Sequence, residues 1–569
     1  MPLPSTFFIG LSLRARVLLH AVMLSPLDVF RAGLWRVRGL KLRSRNTIAS
    51  IAGRTPHAYR LWIHTREHHR AIERTGSDTV SQAVLIVPLI LTDAATTDAD
   101  LIGSCASFSR AGKVTYAFLF DPSGRFRPSP NLITTVKILH IAAPDELAAA
   151  VAALGTQWIC PMLAGDELAQ SSIDLYGSVL STTPSNLAYG DDDLIASSLG
   201  RHDPHFKPDW NAELFKHQDY LSLACVVRYF ADDLRLEARH DCPVAIARGL
   251  TRRALDRNID AAPIHIPQIL HHLKRRTLSL AAPAEAGNIW PNPLSKPRVS
   301  IIVPSKNKAS LLRACIKGID CTSYPFRELI IIDHESDEAD ARALLKLLVD
   351  RGDRVLPWSG PFNYSAMNNV AASLATGDYL CFLNNDIEMI DVDWLDHLVM
   401  QAIRPEVGAV GAKLLYPDCT IQHAGVVIGL GGGAGHAHRY LPNSDPGYFG
   451  RPHLPQFIGA VTAACMVVSH AKFDAVGGFD ETEFTVAFND VDLCLKLRAA
   501  GWVNFYEPRA TLIHHESKSR GSDRLKKNRA RFAAELAALK RKWRTDTEID
   551  PYHNPNLSKL TEQFLIDIN

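Results

Sequence analysis

The sequence has no paired CxxC spacing, no uninterrupted apolar run long enough to cross a membrane, no large charge excess and no glycine-rich phosphate loop. Each absence excludes something. The ten cysteines, Cys105, Cys160, Cys315 and Cys465 among them, are scattered, which removes the usual zinc and disulfide frameworks and fits buried thiols in a reducing compartment. A net charge of +2 over 569 residues offers no global attraction for nucleic acid, so none is expected as a partner. The apolar stretch "FFIGLSLRARVLLHAVMLSPLDVF" is interrupted by Arg14, Arg16 and His20. It does not read as a spanning helix, and no signal-peptide cleavage pattern accompanies it. A helix lying on a membrane surface and a helix packed on its own domain both fit it. The expected location is cytoplasmic, with a peripheral contact at the inner face of the cell membrane as the open alternative.

What is present describes an ordinary globular chain, 47% apolar and 21% charged, too long for one compact core. Between about 80 and 280, short apolar runs such as "AVLIVPLIL", "VTYAFLF" and "WICPML" alternate with helical patterns such as "DELAAAVAAL", which implies an α/β domain. The Ala-, Pro- and Gly-rich segment 281–297 reads as a linker. Beyond it, "RVSIIVPSKN", "SLLRACIKGI", "ELIIID", "EADARALLKLLVD", "YSAMNNVAASLAT" and "YLCFLNNDIEM" alternate strand and helix. That pattern predicts a mostly parallel sheet covered on both faces, with Gly377 as a helix C-cap.

Ligands in such sheets sit at the carboxyl ends of the strands. Three consecutive strand ends are polar: Ser305 and Asn307, then Asp333, then Asn384, Asn385 and Asp386. One polar strand end is a turn; three in consecutive units point to a site. Asp333 suits a nucleotide base or ribose, or a helix N-cap. Asp386 is a hard oxygen ligand for Mg²⁺ or Mn²⁺. Further on, Asp490 and Asp492 open a predicted helix. The helix dipole alone would favour them there, while Asp490 also suits a general base. His514 and His515 follow another apolar strand and precede a Ser-, Lys- and Arg-rich loop, where an imidazole could complete a metal shell.

Taken together, "VSIIVPSKN", "ELIIIDHES", "FNYSAMNNVAASLATGDYLCFLNND", "VGAKLLYPDCTIQHAGVVIGL", "VTAACMVVSHAKFDAVGGFDE", "FNDVDLCLKLRAAGW" and "HHESKSRG" resemble the family 2 glycosyltransferases of GT-A fold. The likeness is greatest to the bacterial subgroup acting on surface polysaccharides, O-antigen and rhamnose-containing chains. The resemblance implies that Pro304, Ser305, Asn307, Asp333, Ser336, Asn384 and Asn385 bind a nucleotide-diphosphate sugar. It implies that Asp386 and His514 hold Mn²⁺ or Mg²⁺, His514 being preferred over His515. Asp490 takes the base position, with Asn489, Asp492 and His515 on the acceptor side. Asn384 stands where the family has the first Asp of its Asp-x-Asp motif, and Asn489 where many members have Glu. The implied reaction is an inverting transfer to a hydroxyl of a saccharide or lipid-linked acceptor. "GGGAGHAHRY" (431–440) reads as a mobile acceptor-side loop.

The first half resembles the same family more faintly. "LAYGDDDLIASSLGRHDPHFKPDWNAELFKHQDYLSLACVV" (187–227), "GTQWICPMLAGDEL" (155–168) and "IHIPQILHHLKRR" (264–276) read as a second, diverged copy. Leu163, Ala164 and Gly165 stand at the metal motif, with Asp166 one step late. Near the acceptor helix Asp241 is kept and Pro243 replaces a second acid. The expected organisation is an N-terminal helical, membrane-associated or self-packed segment (1–75), a degenerate GT-A-like domain (76–280), the linker (281–297), a catalytic GT-A domain (298–525) and a basic helix with tail (526–569). That basic helix could meet an anionic membrane or pack on the catalytic domain. Two rival readings are a nucleotidyltransferase, disfavoured because "VPSKNKAS" lacks the glycines, and a non-catalytic glycan-binding scaffold, disfavoured by the intact acids.

Overall fold

The computed structural model describes residues 5–38, 41–67, 84–126, 136–230, 242–257, 261–277, 296–515 and 528–568. Asp241, most of the expected linker and the Ser/Lys/Arg-rich loop after His515 lie outside them. Four helices come first: α1 (Ser5–Leu24), α2 (Pro26–Val37), α3 (Lys41–Gly53) and α4 (Ala58–Trp62). The first half then builds β1 (Ile86–Leu91), β2 (Tyr116–Phe120), β3 (Lys137–Ile141), β4 (Trp158–Leu163), β5 (Glu167–Leu168), β6 (Leu187–Ala196), β7 (Gly200–His205), β8 (Cys225–Arg228) and β9 (Ile264–Leu273). The second half builds β10 (Val299–Ser305), β11 (Arg327–Asp333), β12 (Arg354–Pro357), β13 (Tyr379–Leu383), β14 (Ile387–Met389), β15 (Val407–Leu415), β16 (Ile421–His423), β17 (Val426–Ile428), β18 (Ala434–His436), β19 (Gln456–Ile458), β20 (Cys465–Ser469) and β21 (Val503–His514).

The two halves carry the same sheet. The first runs β3-β2-β1-β4-β8-β6-β9-β5 with β7 on β6; the second runs β12-β11-β10-β13-β20-β15-β21-β14 with β16 on β15 and an additional strand, β19, on β21. Directions agree pair by pair: the first four strands are parallel in each. The fifth is antiparallel to both neighbours. The next pair is parallel, and the short last strand is antiparallel. The α/β expectation holds in both halves, but the sheets are mixed rather than mostly parallel. The reason lies in the route of the chain. After passing through β14 to β19 it enters β20 beside the carboxyl end of β13, Cys465 facing Leu383, and so runs antiparallel to it.

Local sequence explains the elements. β10 and β11 are runs of Val and Ile buried on both faces, as parallel strands between helical layers require. The helix Ala309–Asp320 buries Leu312, Cys315, Ile316 and Ile319, a 3.6-residue stripe. The expected C-cap role of Gly377 is not found. The helix Tyr364–Leu374 ends with Ala375 as its cap. Gly377 is needed instead for close approach, since a Cβ there would lie 2.6 Å from both Ser300 N and Ser300 Oγ, and its N–H donates to Ser300 Oγ at 2.9 Å.

The halves are joined by polar bonds and by a shared apolar cluster. Asn211 Nδ2 donates to Phe457 O (2.9 Å), and Phe457 N donates back to Asn211 Oδ1 (3.2 Å). The C-terminal tail returns between them: Asn554 Nδ2 donates to both oxygens of Asp191 at 3.0 Å. Tyr59 and Trp62 of α4, Phe206, Val427, Leu557 and Phe564 close one apolar cluster from all four parts of the chain. The basic C-terminal helix, Arg529–Trp543, packs on the second half through Glu535, Ala538 and Leu539.

Substituting Gly377→Ala pushes a methyl group against the start of β10. It is expected to destabilise the fold by about 1–3 kcal/mol, the usual cost of overpacking. Urea unfolding measures this, and an unchanged midpoint would remove the close-approach explanation.

Candidate active site

The polar strand ends do converge. Ser305 pairs with Asp333 across β10 and β11, and Asn385 Nδ2 donates to Ser305 Oγ at 3.1 Å. Beyond them opens a cavity of about 1590 Å³. Its wall includes Pro304, Ser305, Asn384, Asn385, Asp386, Asn489, Asp490 and His514. Residues 386, 490 and 514, far apart in sequence, therefore face one space.

Asp386 is buried, 4% exposed, where β13 passes into β14. The antiparallel pairing of β14 with β21 sets Ile387 opposite His514, so His514 Nε2 reaches Asp386 Oδ1 at 3.1 Å. The other ring nitrogen, Nδ1, lies 2.8 Å from Gln422 Oε1. A side-chain amide oxygen only accepts, so Nδ1 carries a proton and donates. The ring orientation is thereby fixed with Nε2 towards Asp386. Asn384 Nδ2 lies 3.4 Å from the same Nε2.

Asp386 and His514 suit a divalent cation. Two adjacent ligands of an octahedral ion with bonds of about 2.1 Å stand about 3.0 Å apart, close to the observed 3.1 Å. Among the described residues no group of three or more His, Cys, Asp or Glu gathers to hold a metal. A two-residue donor set fits Mg²⁺ or Mn²⁺, which keep positions for water and substrate phosphates. It does not fit a closed structural zinc site.

Asp490 lies at the start of the helix Asn489–Ala499. Its Oδ2 accepts from Ala463 N (3.2 Å) and its Oδ1 from Val491 N (2.9 Å). Burial pushes its pKa up, against the opposing pull of Thr462 and these backbone donors. The loop ahead of it is held by Glu535 of the C-terminal helix. That buried carboxylate accepts from Thr485 Oγ1 (2.8 Å), Val486 N (2.9 Å) and Ala487 N (3.2 Å). Asn489 is buried on the cavity wall, and its Oδ1 accepts from Asp490 N at 2.7 Å.

Several expected site residues do not reach the cavity. Asp492 is buried on the far side of its helix, accepting from Trp543 Nε1 (2.7 Å) and pairing with Lys542 (2.8 Å). A helical turn of about 100° per residue sends it away from Asp490, so it anchors the C-terminal helix rather than an acceptor. His515 points to Glu388 at 3.1 Å and does not line the cavity, because alternation along the chain leaving β21 turns it to the opposite face. Asn307, Asp333 and Ser336 stand one layer out. Asn307 N donates to Ser336 Oγ (2.9 Å), Ser336 N to Asp333 Oδ1 (3.1 Å), and Asn307 Oδ1 accepts from Asp337 and Glu338 N–H (2.9 and 3.0 Å). They brace the rim loop, with Asn307 in the left-handed region at φ 56°.

Of the other wall residues, Gln422, Tyr416 and Thr47 carried no assigned role in the sequence, while Ala434, Gly435, His436, Arg439 and Tyr440 belong to the loop 431–440 read there as acceptor-side. Gln422 sits within the quoted stretch "TIQHAGVV", and its signal was a polar side chain inside a very short buried strand. Tyr416 and Tyr440 stack with ring centroids 5.5 Å apart, with Arg439 4.9 Å from the Tyr440 ring. Both tyrosines and Arg439 line the cavity, with Ala434, Gly435 and His436 of the glycine-rich loop. Thr47 of α3 also lines it, and no local pattern could place it there.

The equivalent place in the first half is closed. Glu167 pairs with His272 as Ile387 pairs with His514, so Asp166 holds the position of Asp386, not a place one step late. Ala164 and Gly165 replace Asn384 and Asn385. Burial raises the Asp166 pKa to about 7, and the carboxylate accepts only from Leu163 and Lys274 N–H among the described residues (3.0 and 2.8 Å). His272 turns to Asp193 at 2.6 Å. Lys274 pairs with Asp100 (2.6 Å) and Arg275 with Asp93 across the opening, leaving about 50 Å³.

Residues 300–440 match glycosyl transferase family 2. The chain is 40% identical over 445 residues to the uncharacterized protein y4gI of Sinorhizobium fredii, covering 70% of this chain and 48% of that protein. It is 37% identical over 408 residues to the O-antigen biosynthesis protein RfbC of Myxococcus xanthus, covering 65% and 31%. It thus spans about half of the first relative and about a third of the second. A third, the N-acetylglucosaminyl-diphospho-decaprenol L-rhamnosyltransferase of Mycobacterium tuberculosis, is 28% identical over 204 residues, covering 30% and 61%. Among solved structures, the mannosyltransferase PcManGT of Pyrobaculum calidifontis in complex with GDP-Man and Mn²⁺ aligns with 48% of this chain and 71% of that one. The identity is 18% and the TM-score 0.34.

Asp492→Asn is expected to lower stability by about 1–3 kcal/mol through the weakened Trp543 and Lys542 contacts, while the folded fraction keeps its turnover. Denaturation and activity per folded molecule separate the two. A stably folded variant with selectively lost activity would return Asp492 to the acceptor side.

Proposed function

We propose that this chain, a family 2 glycosyl transferase by its residues 300–440, moves a sugar from a nucleotide-diphosphate donor to a hydroxyl of a saccharide or lipid-linked acceptor, with inversion at the anomeric carbon. One observation carries the reading: Asn384, Asn385, Asp386 and His514 share a single cavity with Asp490. Similarity to a protein of O-antigen biosynthesis and to a transferase named for a diphospho-decaprenol acceptor supports a place in cell-surface polysaccharide synthesis.

The donor's diphosphate belongs at the carboxyl ends of β10 and β13, beside Ser305, Asn384 and Asn385. Asp386 and His514 would hold Mn²⁺ or Mg²⁺ there. When bound, the cation neutralises the negative charge that the departing diphosphate gains. Asp490, across the cavity, takes the proton of the acceptor hydroxyl. The freed oxygen pair forms the new bond to the anomeric carbon, and the old carbon–oxygen bond breaks with its electrons passing to the diphosphate. Attack from the side opposite the leaving group inverts the centre. The large cavity fits two substrates at once, whereas the 50 Å³ left in the first half fits neither. We read that half as a non-catalytic partner that braces the second.

Asp490→Asn is expected to lower transfer about 10²- to 10⁴-fold, the usual contribution of a positioned base, while nucleotide binding stays near that of the parent. The pH profile gives an independent check. A base must be deprotonated to act, so kcat/KM falls as pH drops through the Asp490 pKa of the free enzyme. Burial places that limb above the range of an ordinary aspartate. Unchanged transfer in Asp490→Asn, or an acid limb that persists in it, would remove Asp490 from the mechanism.

A further inference from the structure

The helices α1 and α2 carry an apolar surface left exposed among the described residues. Leu18, Leu19, Val22, Met23 and Leu24 of α1 are exposed, as are Leu27, Phe30, Leu34 and Val37 of α2. These nine lie within twenty consecutive residues and make up nine of the 21 large exposed hydrophobics among the described residues. Scattered singly they would need no explanation, but nine crowded into two adjoining helices do. On α2 the spacing 27, 30, 34, 37 sets all four on one face. The other side of the helical pair is already satisfied, since Val17, Ala21 and Ala32 are buried and Val17 packs with Ala52 and Leu61.

Charge decides the occupant. Residues 1–62 hold ten Lys and Arg against the single acid Asp28, in a chain whose total is only +2. Arg31 and Arg36 lie on α2 itself and are exposed. A second copy of this chain would bring the same positive charge to a symmetric contact and be repelled. An anionic lipid surface matches both properties, taking the apolar stripe between its headgroups and attracting the arginines. No single described helix is long and apolar enough to cross a membrane, and α1 and α2 meet at 110°.

We propose that the α1–α2 pair docks in the headgroup layer of an anionic bilayer and so holds one edge of the cavity at the membrane surface. The link is α3, which packs against both helices and contributes Thr47 to the cavity wall. This deepens, and for its last step rests on, the reading of a lipid-linked acceptor: such an acceptor enters past α3 without leaving the bilayer.

The test uses the full chain and sedimentation with vesicles, either pure phosphatidylcholine or phosphatidylcholine with 30 mol% phosphatidylglycerol. The parent is expected to bind the anionic vesicles and to lose that binding on raising salt. Arg31→Glu with Arg36→Glu, and separately Leu27→Ser with Phe30→Ser and Leu34→Ser, are expected to weaken it about ten-fold or more. All five side chains are exposed, and an unchanged thermal midpoint confirms that the variants fold. Failure of the parent to bind, equal binding by both variants, or a parent dimer that the serine variant dissolves would each overturn the proposal. The vesicle assay reads no transfer, so its failure leaves the Asp490 mechanism untouched. Conversely, loss of the Asp490 mechanism leaves vesicle binding as it was.

Discussion

A carboxylate buried at the end of a buried strand must be met by a partner, because leaving the charge without one is too costly. Asp386 faces Nε2 of His514, whose Nδ1 donates to Gln422; carboxylate and ring nitrogen form a donor pair suited to a cation, and the rest of the site follows from that contact. The register of β14 on β21 sets the two residues together, and Gln422 behind the ring keeps Nε2 facing forward. β13 must be buried on both faces to bring Asp386 to this depth. Asp490 then approaches from a different element, the helix Asn489–Ala499, whose preceding loop is held by Glu535 from the C-terminal helix. A residue near the end of the chain thus positions the loop that carries the proposed base.

The first half shows what the same framework does when that contact is replaced. Strand order and directions are unchanged, and Asp166 still stands at the end of the fourth strand. Its neighbours are small, its histidine counterpart is bound to Asp193, and Lys274 and Arg275 fill the opening with ion pairs. The carboxylate survives as an acceptor for two backbone N–H groups. Structural demand is enough to retain an acid at this position, so the presence of Asp alone says little about chemistry. The open cavity and a facing imidazole distinguish Asp386. The surplus polar groups of the first half serve cohesion instead: Asp191 receives Asn554 from the tail, and Asp193 receives Arg201 and Tyr59.

Much of this was legible in the chain. Runs such as "SIIVPS" and "LIIID" can only be buried strands, and their polar endings mark the ligand side of the sheet. The repeat was visible in "FKPDW" and its flanks. Three things were not legible. Side-chain direction within a motif was one: Asp492 and His515 neighbour functional residues in sequence, but helix rotation and strand alternation turn them away. Register was another, since the place of Asp166 is set by β5 pairing with β9 and not by spacing to the preceding strand. The third was long-range assembly. Thr47, Glu535 and Gln422 act at the site through tertiary packing, and no window of local sequence contains both ends of such a contact.

The central claim is that Asp386 and His514 together hold the cation that serves the donor diphosphate. Electron spin-echo spectroscopy of bound Mn²⁺, in the presence of whichever of UDP, GDP or dTDP gives the largest thermal shift, reads the ligand atoms directly. The account predicts a nitrogen coupling from one imidazole, retained in His515→Gln and absent in His514→Gln. A nitrogen signal indifferent to His514, or the lack of any bound Mn²⁺ in the nucleotide complex, would contradict it.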